Sequence, residues 1–181
     1  MNKLLFKLRN KVTLDKENYI EIDKSVKIRG CKIKIRGKNN KLIIKKDANL
    51  NGVIIEIRGE NSFLEIGNKS ILGEKTYLSI KGKEKNIVIG KECMFSRNIN
   101  IMTFDGHDIY KNGEKINESR SIKIEDNVWV ADGVTILKGV NILKGSVIGI
   151  NSVVTKSYDE ENIIIAGNPA KIIKRGIIWK D

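Results

Sequence analysis

One histidine, His107, occurs in the whole chain, inside the segment MTFDGHDIYKNGEKINESRS. Imidazole is the usual general base because its unperturbed pKa lies near neutrality. A hydroxyl is a weak nucleophile until its proton is removed, and a histidine in an irregular segment can remove it. Asp105 and Asp108 flank it. Either carboxylate can accept a bond from the imidazole N–H, fixing the tautomer and stabilising the imidazolium; Asp105 is preferred for that role. Either can instead hold an acceptor's hydroxyls, as is expected of Asp108, or stand solvated in a loop. The two cysteines, Cys31 and Cys93, lie far apart without metal-ligand spacing, so neither a disulfide framework nor a zinc site is expected. A single histidine also rules out a multi-histidine metal centre within one chain, and no metal is expected.

The elements that must position His107 are legible as a short repeat. From Ile124 the chain divides into sixes: IEDNVW, VADGVT, ILKGVN, ILKGSV and IGINSV. Each block opens on an aliphatic residue, Ile124, Val130, Ile136, Ile142 or Ile148, and its fifth residue is small or β-branched: Val128, Val134, Val140, Ser146 or Ser152. Upstream the phrase returns less cleanly as IGNKSI and LGEKTY over 66–77, IGKECM over 89–94 and IDKSVK from Ile22. Stretches such as Lys32-Ile33-Lys34-Ile35 and 53–57 alternate, the pattern of half-buried strand.

In a strand, residues of equal parity share a face, so the first and fifth positions both point inward. A small fifth residue fits a tight corner, where a neighbouring Gly or Asn relieves the backbone. Repeated, this unit is a solenoid whose coils bury an aliphatic ladder. Periodicity leads to an all-β parallel solenoid and leaves its handedness open. Cys93 takes the small fifth position of its block, that of a buried corner residue. By parity Trp129, next to inward Val128, points outward, either covered by the long loop or lining a site. The exception to strand is the N-terminus, where Leu4, Leu5, Leu8 and Val12 suit one face of a short helical cap over 1–12.

Composition sets bounds. The chain of 181 residues is 40% hydrophobic and 31% charged, enough to bury the core of one domain. No apolar run reaches membrane-span length, and the basic start lacks the h-region and cleavage site of a signal peptide; a cytoplasmic location is expected. The net charge of +12 invites a nucleic-acid reading. The lysines, however, are scattered among Ile and Asn through strand-like segments. Compositional bias and a preference for anionic partners, such as the phosphates of CoA or an acidic polysaccharide, both remain open. No nucleic-acid partner is expected.

The run NVWVADGVTILKGVNILKGSVIGINSVVTKS, followed by IIIAGNPAKIIK, resembles the C-terminal half of the hexapeptide-repeat acyltransferases, nearest the maltose, galactoside and capsular or sialic-acid O-acetyltransferase branches. The match covers about 90–179, and Gly167-Asn168-Pro169-Ala170, in a C-terminal tail over 154–181, is its most distinctive phrase. The resemblance implies a left-handed parallel β-helix with three hexapeptides per coil, an active-site loop extruded at about 95–121, and a homotrimer with clefts between subunits. It implies acetyl-CoA as acyl donor and a carbohydrate acceptor, and Thr103-Phe104-Asp105-Gly106-His107 looks like the capsule-type version of the catalytic motif, with His107 as base. It places Trp129 beside the cleft, in contact with donor and acceptor. For the donor it points to Ala131, Gly149 and Ser152 along the pantetheine arm and to Lys156, Lys171 and Lys174 at the phosphates. Trimeric carbonic anhydrases of similar fold need three histidine ligands per site, which one histidine per chain does not supply. The expected reaction is O-acetylation of a sugar or surface-polysaccharide hydroxyl; N-acetylation of an amino sugar and a non-catalytic glycan-binding scaffold are the alternatives.

Overall fold

The computed structural model describes Phe6 and residues 8–180. The chain visits three sheets in the same order on each turn up to Val153–Val154, from which it passes directly to the third, forming a parallel β-solenoid of about 7 turns, in keeping with a left-handed β-helix. The first sheet has seven strands, from Lys11–Leu14 to Val153–Val154, and the second has six, from Tyr19–Ile22 to Asn141–Ile142. The third begins at Lys27–Arg29 and ends at Ile164–Gly167, to which Ala170–Lys174 adds antiparallel.

Inward positions are those that the sixfold pattern requires. Ile124, Val130, Ile136 and Ile148 are fully buried, as are the corner residues Val128, Val134 and Ser152. The aliphatic ones join Ile33, Ile55, Leu78 and Ile101 in one continuous hydrophobic core. Asn127, just before the corner at Val128, has φ 54, a left-handed conformation that asparagine tolerates better than most residues. Cys93 stacks in a corner column between Ser70 and Val128, 1% exposed, and burial pushes its thiol up to about 11. Cys31 occupies another corner, equally buried.

The coils are not uniform. In the C-terminal half Ile136 and Val154 are 18 residues apart, three hexapeptides. In the N-terminal half Ile33 and Ile55 are 22 apart, and Ile55 and Leu78 are 23 apart. The expectation of three hexapeptides per coil therefore fails there. The surplus lies in the first sheet, whose strands Lys32–Lys38, Ile54–Glu60 and Tyr77–Lys83 each run to seven residues. Gly37, Gly59 and Gly82 stack at their ends, and a Cβ on Gly59 would lie 2.0 Å from the Gly82 carbonyl oxygen. Only glycine permits that approach. Beside them a buried polar ladder fixes the corner. Asn18 Oδ1 accepts from the Asn40 N–H at 3.0 Å and from its amide at 2.9 Å, and Asn40 donates to the Gly59 carbonyl at 2.8 Å.

Of the helical cap expected over 1–12, Leu4 and Leu5 lie outside the described residues, and only Phe6, Leu8 and Arg9 are helical. The helix does not reach Val12, which belongs to the strand Lys11–Leu14, and Leu8 is 73% exposed. The ladder prevails over the helical spacing: Lys11 donates to the Cys31 carbonyl at 2.9 Å, and Val12 pairs with Ile33. Among the described residues no helix is long and apolar enough to cross a membrane.

Candidate active site

The solenoid runs on through Met94–Phe95 and Asn100–Met102, so the extruded loop is narrower than 95–121. It leaves the first sheet at Thr103 and returns at Arg120, whose N–H closes the neck on the Thr103 carbonyl at 2.9 Å. Thr103 is fully buried, and its hydroxyl accepts from the Lys81 N–H at 3.1 Å, tying the loop's root to the preceding coil. Within the loop, Tyr110–Lys111 and Glu114–Lys115 form a hairpin through Asn112 and Gly113, with φ of 52 and 81. Positive φ at both central residues is the type I′ signature of Asn-Gly. That dipeptide is a sequence signal for a hairpin that the hexapeptide reading passed over.

Asn117 organises the segment around His107. Its carbonyl oxygen accepts from the Ile109 N–H at 2.7 Å; its amide donates to the His107 carbonyl at 2.8 Å and to Asp105 Oδ2 at 3.0 Å. Lys138, from the next coil, reaches the same Asp105 oxygen at 2.5 Å with a side chain only 11% exposed. Lys138 beside Asp105 holds that carboxyl below its ordinary value; slight burial opposes the effect and the Asn117 amide adds to it. Asp108 pairs instead with Lys115 at 3.1 Å. Among the described residues, then, the hydrogen bonds of both aspartates fix the loop, and neither engages the imidazole. Asn117 and Lys138 carry no sequence signal: one is a loop asparagine, the other an outward lysine in a lysine-rich chain.

His107 is exposed and lines a cavity of about 350 Å³ between the loop and the long strand of the preceding coil, shared with Lys81, Lys83, Lys85 and Phe104. Lys81 stands over the Phe104 ring at 5.6 Å. Among the described residues no group of three or more metal-ligating side chains converges.

The residues expected at the donor lie elsewhere. Trp129 projects outward from the third sheet, 37% exposed, and packs on Trp179 of the tail with ring centroids 6.1 Å apart. Trp179 is anchored by donating to the Asn127 carbonyl at 2.8 Å. The Ala131 and Gly149 N–H groups are taken by the ladder, through Ile148 and Ile165 respectively. Ser152 is buried and its hydroxyl accepts from the Gly167 N–H at 3.0 Å. Lys171 and Lys174 are exposed on the terminal hairpin of the third sheet, and Lys156 sits 5.4 Å from the Tyr158 ring. The His107 loop emerges where the first sheet gives way to the second, whereas Trp129 and the hairpin belong to the third. In a three-sided coil that corner faces away from the third sheet, so one chain does not bring these groups together.

A crystal structure of the polysialic acid O-acetyltransferase OatWY matches the chain with a TM-score of 0.76 at 31% identity, over 95% of this chain and 90% of that one. The chain belongs to the hexapeptide-repeat acetyltransferase family. Two curated relatives, from Escherichia coli O1:K1 / APEC and Neisseria meningitidis, both named polysialic acid O-acetyltransferase, are each 37% identical to it over 119 residues. The aligned stretches cover 62% and 64% of this hexapeptide-repeat chain, but only 38% and 54% of the relatives' own length. No family model matches.

Proposed function

We propose that the protein transfers an acetyl group from acetyl-CoA to a hydroxyl of a sugar or surface polysaccharide. The observation that carries this reading is the placement of His107: the only histidine stands exposed in a cleft, on a loop pinned at its neck and held from within by Asn117. Membership of an acetyltransferase family and relatives named as polysialic acid O-acetyltransferases support it.

Bound acetyl-CoA would supply the acetyl group as a thioester. His107 takes the acceptor's hydroxyl proton as that oxygen attacks the acetyl carbonyl. When the carbon–sulfur bond breaks, the imidazolium returns the proton to the departing thiolate, so ester and free thiol are the products. Asp105, tied to Lys138 and Asn117, sets the loop that carries the imidazole, while Asp108 and Trp129 remain the residues assigned to the acceptor.

The chain fits the donor's charge. Lys171 and Lys174 are exposed and form no ion pair among the described residues, so they are available to nucleotide phosphates as mobile point charges. They and Trp129 face away from their own chain's loop, so the cleft is completed by a second copy. The reading is therefore a homotrimer in which one subunit's His107 faces a neighbour's third sheet.

The test is incubation with acetyl-CoA, a thiol reagent and a panel of simple sugars, lipopolysaccharide and capsule. CoA release that depends on one of these acceptors, with the acetyl group recovered as an oxygen ester, is expected. Recovery as an amide would replace the reading by amino-sugar N-acetylation, and no release with any acceptor would leave a scaffold.

A further inference from the structure

On the long strands of the first sheet, outward residues fall into columns across three coils. Lys34 pairs with Glu56 and Glu56 with Ser79; Lys38 pairs with Glu60 and Glu60 with Lys83. In these columns each cation faces a carboxylate, as opposed side chains do when they stabilise one another. The column between them does not. Arg36 pairs with Arg58, and Arg58 with Lys81. All three are exposed, on strands roughly 4.8 Å apart. Like charges directly opposite destabilise a sheet, so compositional bias alone gives no reason for this register beside two compensated columns.

Little within the chain answers the column. Glu56 approaches Arg58 at 3.6 Å but also accepts from the Tyr77 hydroxyl at 3.1 Å. At the N-terminal end the Asp15 carboxylate takes the Gly37 N–H at 3.3 Å. Among the described residues neither Arg36 nor Lys81 has a carboxylate partner. The backbone beneath is rigid, because the column sits beside the glycine stack and the Asn18–Asn40 ladder. Its far end is Lys81, which contacts Phe104 and lines the cavity containing His107.

We infer that Arg36, Arg58 and Lys81 form a binding ledge for an anionic polysaccharide, laid across the coils so that one of its residues enters the His107 cleft. Guanidinium groups read carboxylates in the plane, by paired hydrogen bonds. The flanking Glu56 and Glu60 accept from sugar hydroxyls and repel a densely charged phosphate backbone. Among the described residues no row of aromatic side chains interleaves the cations, as stacking on nucleic-acid bases requires. The ledge rests on the proposed function only for the acetyl transfer in the cleft; binding itself does not depend on it.

Binding is measured on the full chain without acetyl-CoA, by titration calorimetry, using long polysialic acid, the sialic acid disaccharide, neutral dextran and single-stranded poly-dT. The long acidic chain is expected to bind more tightly than the disaccharide, and to weaken with salt as exposed ion pairs are screened. Arg36→Gln with Arg58→Gln should weaken the long chain about tenfold and remove its advantage over the disaccharide. Arg36→Lys with Arg58→Lys should restore only part of it, because an ammonium keeps the charge but not the paired hydrogen bonds. Arg36→Gln alone, at the outer end of the column, reads the same loss should the double variant unfold. Unchanged affinity in the glutamine variants, dextran binding equal to polysialic acid, or poly-dT binding as tight as polysialic acid would each overturn the ledge. A protein that holds polysialic acid through these arginines yet acetylates nothing overturns the proposed function alone; one that acetylates sugars but ignores both arginines overturns the ledge alone.

Discussion

His107 is one exposed side chain, and its chemistry depends on the backbone that carries it. His107→Ala should lower turnover by about 10²–10⁴, the usual range for general acid–base catalysis, with folding and acetyl-CoA affinity nearly unchanged. Wild-type turnover in the folded variant would dismiss the base. Asp105→Asn should cost less, because Asp105 acts on the loop through Lys138 and Asn117 rather than on reacting atoms. Its carboxyl is held below the ordinary value of 3.8, so ionisation favours the folded state. That contribution is complete above the unfolded pKa and is lost as pH falls through the folded one. Limited proteolysis at the exposed Asn112–Gly113 turn should therefore be flat between roughly pH 8 and 5 and rise only in stronger acid. Asp105→Asn should raise it already at neutral pH; equal cleavage in both proteins would separate Asp105 from loop order.

At the scale of elements, the loop and the long strands are one assembly. The loop is rooted by Thr103 against Lys81, and the strand bearing Lys81 is held by its glycine to the coil before. Gly59→Ala tests that join. The added Cβ would lie 2.0 Å from the Gly82 carbonyl oxygen, a backbone atom that cannot swing aside. The coils must part, at an expected loss of about 2 kcal/mol or more and a melting midpoint lower by several degrees. Wild-type melting would mean that the stack is looser than its geometry. Why these strands are long is not legible in the sixfold phrase. The phrase describes core contacts, whereas the extra residues are stabilised by a corner ladder of Asn18, Asn40 and Ser62 whose partners lie a whole coil away.

For the molecule as a whole, the arrangement of sheets places His107 and the lysines of the terminal hairpin on opposite sides of one coil. If the proposed trimer completes the cleft, light scattering should give about three times the 20.4 kDa chain mass. A stable monomer that turns over substrate would end the shared-cleft proposal. In the same assembly Lys171→Ala and Lys174→Ala should raise the apparent constant for acetyl-CoA more than that for the acceptor. Both wild-type donor affinity and this difference should shrink at high salt. Equal effects on donor and acceptor would remove the terminal hairpin from the site.

The sequence by itself determined the solenoid, because the sixfold spacing of aliphatic and small residues is the core, read directly along the chain. It also singled out His107, since one histidine in an interrupted repeat needs no contact map to be noticed. Parity alone places Trp129 outward, and it is outward. Tertiary structure decided what those rules do not encode. Trp129 packs against Trp179, a residue 50 positions on that lies beside it only after the tail folds back. Asp105 turned to Lys138 and Asn117, partners 33 and 12 residues away, although His107 stands two positions along. Whether two cations meet a carboxylate or each other depends on register across coils 22 and 23 residues long, and no local pattern states that length. Local periodicity fixes which face a side chain takes; only the stacking of coils fixes its neighbour.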